Sequence, residues 1–215
     1  MDWESEQLND IETFTLCHYN ENVDSYWHGT KDHDVSQNYK AFLAPFPEGK
    51  NLDILDFGCG PGRDVNYFQS LGHRPVGLDG SVEFCRMARR YTRCQILHQK
   101  FLSLALPQQA FDGIFANASL FHVPSQELPR VLYELHRALR PGGILFSSNP
   151  RGNEEGWSGQ RYGNYMELDV SKTYLEEAGF KVINHYYRPY GKPIQEQPWL
   201  AIVSRCRESK QAGKN

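Results

Sequence analysis

The 215-residue sequence has no hydrophobic run that would cross a membrane and no apolar leader. A membrane-spanning helix needs about 18 or more consecutive apolar residues, and every apolar run in this chain is shorter. The sequence begins MDWESEQLND, which is acidic where a secretory signal peptide is basic and then apolar. We therefore expect a cytoplasmic protein without membrane contact.

An excess of positive charge is also absent. The chain has 23 lysines and arginines against 26 aspartates and glutamates, which gives a formal net charge of −3. Proteins that bind nucleic acid or anionic lipid need a strongly positive surface. The charge therefore argues against nucleic acid as a partner and favours a small-molecule substrate.

The sequence lacks a CxxC pair. Its cysteines number five and are scattered: Cys17, Cys59, Cys85, Cys94 and Cys206. An odd number at such spacing predicts neither a disulfide framework nor a zinc site. We expect reduced thiols and no metal.

Short β-rich runs alternate with segments of helical period from Leu52 onward, as in a parallel sheet covered by helices on both faces. The predicted strands are 52–57, 74–78, 94–97, 111–116 and 143–148. The apolar helix faces between them are Val65, Phe68 and Leu71, then Phe84, Met87, Ala88 and Tyr91, then Leu128, Val131, Leu132, Leu135 and Leu139. The pattern predicts a doubly wound α/β fold with a mostly parallel, seven-stranded sheet.

The two ends of the chain differ from this core. A last helix over 169–178, ended by Gly179, precedes two β-rich runs, 180–187 and 198–205, spaced to pair as a hairpin. The length fits one domain, 1–215. We expect an aromatic-rich helical cap over residues 1–50, an α/β core over 51–206 and a polar, disordered tail over 207–215.

The strongest motif is a glycine-rich turn directly after the first strand. It contains Gly58, Gly60 and Gly62, which have no Cβ to keep a ligand from the backbone, and it follows Asp56. A dinucleotide site prefers G-x-G-x-x-G, whose third glycine would stand at Arg63. The spacing therefore argues against a dehydrogenase.

The acidic residue followed by G-x-G-x-G resembles the first motif of the class I S-adenosylmethionine-dependent methyltransferases. This resemblance implies S-adenosyl-L-methionine as the cofactor. It also implies that the loop wraps the methionine part through Gly58, Cys59, Gly60 and Gly62, with Asp56 near the ammonium group. A tight turn without a ligand is the simpler alternative.

A second carboxylate, Asp79, ends the next strand, 17 positions after Gly62. A carboxylate there accepts both ribose hydroxyls of a nucleotide, and we assign Asp79, Gly80 and Ser81 to the cofactor. The alternative is an aspartate that caps the helix near Ser81.

The remaining cofactor residues follow from the resemblance. The family carries an acidic residue beside the adenine after the third strand, where this chain has Gln99, with Phe101 to lie on the ring. The segment from Phe111 to Val123 and the LRPGG turn resemble the fourth motif and the turn before strand five, which brings Asn117 to the cofactor. The likeness covers about residues 50–150.

A narrower resemblance concerns the substrate. The runs GTKDHDVSQN, FHVPSQELPRVLYELHRALRPGG, SSNPRG and QPWLA look like the methyltransferase domain of ovothiol-biosynthesis enzymes. That family N-methylates the imidazole of 5-thiohistidine and is often fused to a histidine/cysteine sulfoxide synthase. This chain is then either a free-standing enzyme or a domain of a larger protein.

Methyl transfer to a ring nitrogen needs that nitrogen unprotonated, so an acceptor must hold the proton on the other one. We name His122, Asn117 and Asp34 as catalytic candidates, with His122 as a possible base. A histidine after a strand is otherwise a satisfied structural residue.

Residues beyond the carboxyl ends of strands four and five, and in the cap, are expected to meet the substrate. Arg151 or Arg188 suits its carboxylate. The substrate-binding candidates are Tyr26, His33, Asp34, Asn38, Phe121, Arg151, Tyr162, Tyr186 and Arg188.

Two other functions remain open. The first is a methyltransferase for another small molecule or for a tRNA wobble base, because Arg86, Arg89, Arg90 and Arg93 share a helical face that either meets phosphates or is solvated. The second is a non-catalytic cofactor-binding module.

Overall fold

The computed structural model describes residues 3–207, so the predicted disordered tail lies outside the described residues apart from Arg207. The helices are α1 (Ser5–Glu21), α2 (Val23–Thr30), α3 (Ser36–Leu43), α4 (Arg63–Ser70), α5 (Val82–Thr92), α6 (Leu128–Ala138) and α7 (Leu168–Glu177). The strands are β1 (Asp53–Phe57), β2 (Arg74–Asp79), β3 (Gln95–His98), β4 (Phe111–Asn117), β5 (Leu139–Pro150), β6 (Glu155–Ser158), β7 (Arg161–Asn164), β8 (Phe180–Arg188) and β9 (Trp199–Cys206). Within the described part of the chain, no helix is long and apolar enough to cross a membrane.

The main sheet has seven strands in the order β3-β2-β1-β4-β5-β9-β8, which confirms the predicted fold class. Strands β1 to β5 are parallel, and β9 and β8 are antiparallel to their neighbours. The strand order reverses between β1 and β4. In such a sheet a ligand crevice opens beyond the carboxyl ends of these two strands.

The N-terminal segment contributes to the core as well as to the cap. Phe42 of α3 is fully buried and packs edge-on against Phe68 and at a tilt against Phe115. Gly113 makes room for it, since a Cβ there would lie 2.6 Å from the Phe42 ring. The prediction that all of residues 1–50 lie over the sheet edge is therefore wrong for α3, which covers one face of the sheet.

Three residues depart from the predicted apolar helix faces. Leu71 and Tyr91 are exposed, because each stands at the end of its helix rather than on the packed turns. Leu139 lies in β5, where it pairs with Phe111. The apolar period continued one residue past the end of α6, so sequence pattern alone did not mark the boundary.

The C-terminal hairpin is confirmed, with β8 and β9 paired along their length. A second hairpin was not predicted. It joins β6 to β7, with Ser158 opposite Arg161, and it packs against α1, where Thr15 Oγ1 accepts the N–H of Tyr162 at 3.1 Å.

Candidate active site

The loop after β1 adopts a backbone that only glycine takes easily. Gly58, Gly60 and Gly62 all have positive φ, at 77°, 51° and 97°. A Cβ on Gly58 would overlap the side chain of Ser119. The loop therefore lies directly against the end of β4, and its N–H groups are used within the protein: those of Gly58 and Cys59 are donated to the carbonyl of Leu78, and that of Gly62 to the carbonyl of Cys59.

Asp79 holds this loop to the end of β2. Its carboxylate accepts the N–H of Gly60 at 2.9 Å and that of Ser81 at 2.8 Å. Burial raises the pKa of Asp79 to about 6, and these two donors act against the rise. Ser81, whose Oγ accepts the N–H of Phe84, is the residue that caps α5, so the alternative of Asp79 as the cap is wrong.

The glycine loop and Asp79 face a cavity that α1 covers. This main cavity encloses about 650 Å³ of empty space, part of it open to solvent. Its lining is Ile11, Glu12, Thr15, Leu16, Tyr19, Tyr26, Gly58, Gly60, Asp79, Gly80, Phe84, Phe101, Leu102, Ala118, Ser119 and His122. The ends of β1, β2 and β4 thus meet the N-terminal helices around one space.

A smaller pocket of about 330 Å³ lies on the other side of the loop. This loop pocket is lined by Tyr26, Trp27, Thr30, Gly58, Cys59, Gly60, Pro61, Arg63, Asp64 and Asn117. Because Tyr26, Gly58 and Gly60 line both spaces, the main cavity and the loop pocket are neighbours.

Three buried carboxylates surround the loop. Asp56, Asp64 and Asp79 are each less than 10% exposed. Burial, and next the negative charge of Asp64, raise the pKa of Asp56 well above its usual range. Arg63 pairs with Asp64 at 2.7 Å, so the cluster keeps a negative balance that suits a cation.

One oxygen of this cluster is unpartnered. Asp56 Oδ2 is buried and has no hydrogen-bond partner among the described residues. A buried acceptor without a donor is costly, at about 1–3 kcal/mol. A ligand that brings an ammonium or hydroxyl group would remove that cost.

Asn117, at the end of β4, belongs to a one-way chain of donors. Tyr186 donates its O–H to Asn38 at 2.8 Å, and Asn38 donates to Asn117 at 2.9 Å. Asn117 in turn donates to Asp64 Oδ2 at 3.3 Å. The chain ties β8 and α3 to the loop pocket.

His122 and Tyr19 meet at the edge of the main cavity. Tyr19 Oη lies 2.7 Å from His122 Nε2, and His122 Nδ1 lies 2.6 Å from the carbonyl oxygen of Tyr162. Burial lowers the pKa of His122 to about 4. This geometry argues against His122 as a base, because both ring nitrogens are used and the ring resists protonation.

The other predicted cofactor residues divide into two groups. Phe101 lines the main cavity and stacks on Phe57, with centroids 4.2 Å apart. Gln99 turns away and exchanges two hydrogen bonds with the backbone of Ala105, which argues against an adenine contact through its side chain. Cys59 is buried beside the loop pocket.

The predicted substrate residues of the cap are not brought together. Tyr26 lines both spaces and Asn38 is buried. His33 and Asp34 are exposed. Asp34 accepts the N–H of Ser36, which lowers the pKa of its carboxyl. This geometry argues against a catalytic role for Asp34, since the residue lines neither the main cavity nor the loop pocket.

Arg151 and Arg188 are engaged within the protein. Arg151 donates to Glu167 at 3.0 Å and to the carbonyl oxygens of Ile194 and Gln197. Arg188 donates to the carbonyl of Asp34. Because these donors are already used, the geometry argues against a contact between Arg151 and a substrate carboxylate.

Two aromatic residues predicted to bind the substrate, Tyr162 and Phe121, contact His122 from outside the main cavity. Tyr162 is fully buried and donates its O–H to Glu155 at 2.8 Å. Phe121 packs on His122, with ring centroids 3.9 Å apart. Neither lines the main cavity.

Tyr19 and Arg161 are the residues that sequence reasoning missed. Tyr19 stands 103 positions from His122, and only the packing of α1 over the sheet edge joins them. For the hairpin that carries Arg161, the signal was present in the Gly159-Gln160 turn between two β-rich runs.

A family model described as a methyltransferase domain matches residues 54–143. This segment contains the glycine loop, Asp79 and the whole of β4. Among curated proteins, trans-aconitate 2-methyltransferase of Azoarcus sp. (strain BH72) is 36% identical over 115 residues, which are 53% of this chain and 45% of the relative. Malonyl-[acyl-carrier protein] O-methyltransferase of Pectobacterium atrosepticum is 34% identical over 104 residues, 48% of this chain and 40% of the relative. The matches thus span less than half the length of these relatives.

The fold is also that of a solved enzyme. The structure of Burkholderia thailandensis 1,6-didemethyltoxoflavin-N1-methyltransferase, with bound 1,6-didemethyltoxoflavin and S-adenosylhomocysteine, aligns with a TM-score of 0.78 at 21% identity. The alignment covers 97% of this chain and 94% of that one. With its glycine-loop motif, its sheet order and the matching family model, the chain is similar to the class I S-adenosylmethionine-dependent methyltransferases.

Proposed function

We propose that this chain binds S-adenosylmethionine in the main cavity and methylates a ring nitrogen of 5-thiohistidine. The observation that carries the proposal is the meeting of the glycine loop, Asp79 and α1 around one cavity. The relatives' names support a small-molecule acceptor, since they refer to trans-aconitate, to malonyl-[acyl-carrier protein] and to 1,6-didemethyltoxoflavin.

The residues present fit the cofactor. Asp79 offers a buried carboxylate to the ribose hydroxyls, and Phe101 an aromatic face to the adenine. Asp56 Oδ2, without a partner among the described residues, suits the ammonium group. Arg63 lines the loop pocket, where its guanidinium donates to Asp64 and to the carbonyl of Thr30.

The charge of the site supports the same ligand. Asp56, Asp64 and Asp79 are buried around the loop, and Arg63 offsets one of them. When bound, S-adenosylmethionine supplies a methyl group on a cationic sulfur, which keeps the electron pair of the broken S–C bond as the acceptor's lone pair takes the methyl. The protein's contribution is to bind, orient and exclude water.

The location of the sequence runs that resemble ovothiol-biosynthesis methyltransferases supports 5-thiohistidine as the methyl acceptor. The run from Gly29 to Asn38 spans the end of α2 and the start of α3, and it delivers Thr30 and Asn38 to the surroundings of the loop pocket. Arg63 donates to the carbonyl of Thr30 at 2.9 Å, which ties the run to the cofactor loop. The run FHVPSQELPRV contains His122, which lines the main cavity.

The arginine face of α5 gives less support to a tRNA substrate. Arg86 pairs with Glu83 at 2.7 Å, and Arg89 donates to the carbonyl of Ile96.

Because 5-thiohistidine carries a sulfur on its ring, the proposed reaction follows one that forms a C–S bond on histidine. We propose a sulfoxide synthase as the source of that reaction.

The proposal is tested by a mass-spectrometric methyl-transfer assay with S-adenosylmethionine and 5-thiohistidine, run beside histidine and bulk tRNA. We expect one methyl group on a ring nitrogen of 5-thiohistidine and no product from histidine or tRNA. Cofactor binding by calorimetry is measured in parallel. Binding without methylation of 5-thiohistidine would overturn the substrate, and absence of binding would overturn the cofactor assignment as well.

A further inference from the structure

The hydrogen bond between Tyr19 and His122 can be donated in only one direction. The carbonyl oxygen of Tyr162 can only accept, so His122 Nδ1, 2.6 Å away, is the protonated nitrogen. Because burial lowers the pKa of His122 to about 4, the ring is neutral near pH 7. His122 Nε2 is then an acceptor, and Tyr19 donates its hydroxyl proton to it across 2.7 Å.

This arrangement turns the Tyr19 hydroxyl into an acceptor toward other groups. Its proton is committed to His122, and its oxygen keeps lone-pair capacity. The ring is held by Tyr26 and Phe84, with centroids 5.7 and 5.5 Å away. Burial raises the pKa of Tyr19, while the Arg161 guanidinium beside the oxygen acts against the rise.

The position of Tyr19 and His122 allows the Tyr19 oxygen to accept a hydrogen bond from a ligand in the main cavity. Tyr19 and His122 both line the main cavity, with Gly58, Gly60 and Asp79. The cofactor loop thus shares one space with a fixed hydrogen-bond acceptor. A group that enters this space with an N–H directed at Tyr19 gains a hydrogen bond, whereas a group that presents a lone pair there does not.

We propose that Tyr19 binds the N–H of the acceptor's imidazole, and that His122 is a positioning residue that holds the Tyr19 proton away. The proposal rests on the proposed function. With one ring nitrogen's proton held by Tyr19, the other nitrogen keeps its lone pair for the methyl group, and no proton leaves the ring in that step. Tyr19 therefore determines which ring atom is methylated.

The first test compares Tyr19→Phe with wild type and with Tyr133→Phe, which alters an exposed tyrosine on α6. We expect Tyr19→Phe to lower kcat about 3- to 10-fold, the effect of one hydrogen bond, and to give a mixture of methylation sites. Its dissociation constant for S-adenosylmethionine should stay within about threefold of wild type. Tyr133→Phe should behave as wild type in all three measurements.

The second test separates the role of His122 from a purely structural one. His122→Gln, which can donate to Tyr162 and accept from Tyr19, should keep most of the rate and a single product. In the Tyr19→Phe background the same substitution should add nothing further, because His122 acts only through Tyr19. Imidazole ¹⁵N shifts of the wild type should show a neutral Nδ1–H ring at pH 7.

The outcomes are distinguishable. Wild-type turnover with an unchanged rate and product in Tyr19→Phe would overturn this inference and leave the proposed function standing. A charged or Nε2–H ring at His122 would overturn it without any substrate. Cofactor binding without turnover of 5-thiohistidine would overturn the proposed function, and the imidazole assignment with it.

Discussion

The Asp79 carboxylate, at the end of β2, accepts the backbone N–H of Gly60 in the loop after β1, at 2.9 Å. One residue thus fixes the shape of the glycine loop and offers its remaining acceptor capacity to the main cavity. Its ionisation state therefore matters for both the empty and the filled site.

Cofactor affinity should depend on pH through Asp79. Burial raises the pKa of Asp79 to about 6, and a protonated carboxyl loses acceptor capacity toward the ribose hydroxyls. We expect the dissociation constant for S-adenosylmethionine to rise as pH falls below 6, by up to about tenfold per pH unit. Calorimetry between pH 5 and pH 8 measures it, and Asp79→Asn should bind weakly with little pH dependence.

The stability of the ligand-free protein should change in the opposite sense. The folded pKa of Asp79, about 6, exceeds the unfolded value of about 3.9, so folding favours the protonated carboxyl. The contribution of Asp79 to the free energy of unfolding is present below the unfolded pKa and is lost as pH rises through 6. Urea unfolding of wild type and Asp79→Asn at pH 4.5 and 7 checks the sign, and an equal difference between the two proteins at both values would contradict it.

Gly58 should tolerate alanine less well than another glycine of the same conformation. Gly58 and Gly49 have φ of 77° and 74°, but a Cβ on Gly58 overlaps Ser119 while one on Gly49 meets nothing within 4 Å. We expect Gly49→Ala to cost about 1 kcal/mol through its backbone alone. Gly58→Ala should cost at least about 3 kcal/mol or lose cofactor binding. Equal thermal unfolding and equal binding of the two variants would refute the steric role.

Asn38 should be a large contributor to stability for a polar residue. It is fully buried and bridges Tyr186 and Asn117. Asn38→Ala leaves both partners unpaired, and we expect a loss of about 2–4 kcal/mol, or roughly 5–15 °C in Tm for a chain of this size. The exposed Asn153→Ala is the matched control, with an expected change within about 0.5 kcal/mol.

Release of the cofactor should depend on the link between α1 and α5. Asn20 Oδ1 accepts from Ser81 Oγ at 2.7 Å, which holds α1 over the main cavity. Asn20→Ala should speed dissociation of S-adenosylmethionine about 3- to 10-fold, the effect of one hydrogen bond, with a smaller change in the association rate. Stopped-flow displacement measures both rates. The exposed Asn184→Ala on β8 should change neither, and unaltered release from Asn20→Ala would mean that α1 is held by other contacts.

The sequence was sufficient for the sheet and the cofactor loop because both depend on local pattern. Strand and helix periods predict the alternation, and three glycines after an acidic strand end predict the turn. The placement of α3 was not predictable in this way. Phe42 is buried only because β4 has Gly113 opposite it, 71 positions later.

Side-chain roles at the site required tertiary contacts. Arg151 resembles a substrate contact in sequence, but its partner Glu167 stands on the segment that leads into α7. His122 follows a strand as a catalytic histidine would, yet burial lowers its pKa and its Nδ1 donates to the carbonyl oxygen of Tyr162. For Arg151 and His122 the physical cause is the same: a hydrogen-bond partner distant in sequence already occupies the group.

The donors from Tyr186 through Asn38 and Asn117 to Asp64 all point the same way. A substitution that exchanges a donor for an acceptor leaves two like groups facing each other, and one that removes a donor leaves its acceptor unpaired. Among diverging homologues, these four positions should therefore exchange as a set, and ancestral intermediates that carry only one of the changes should be rare.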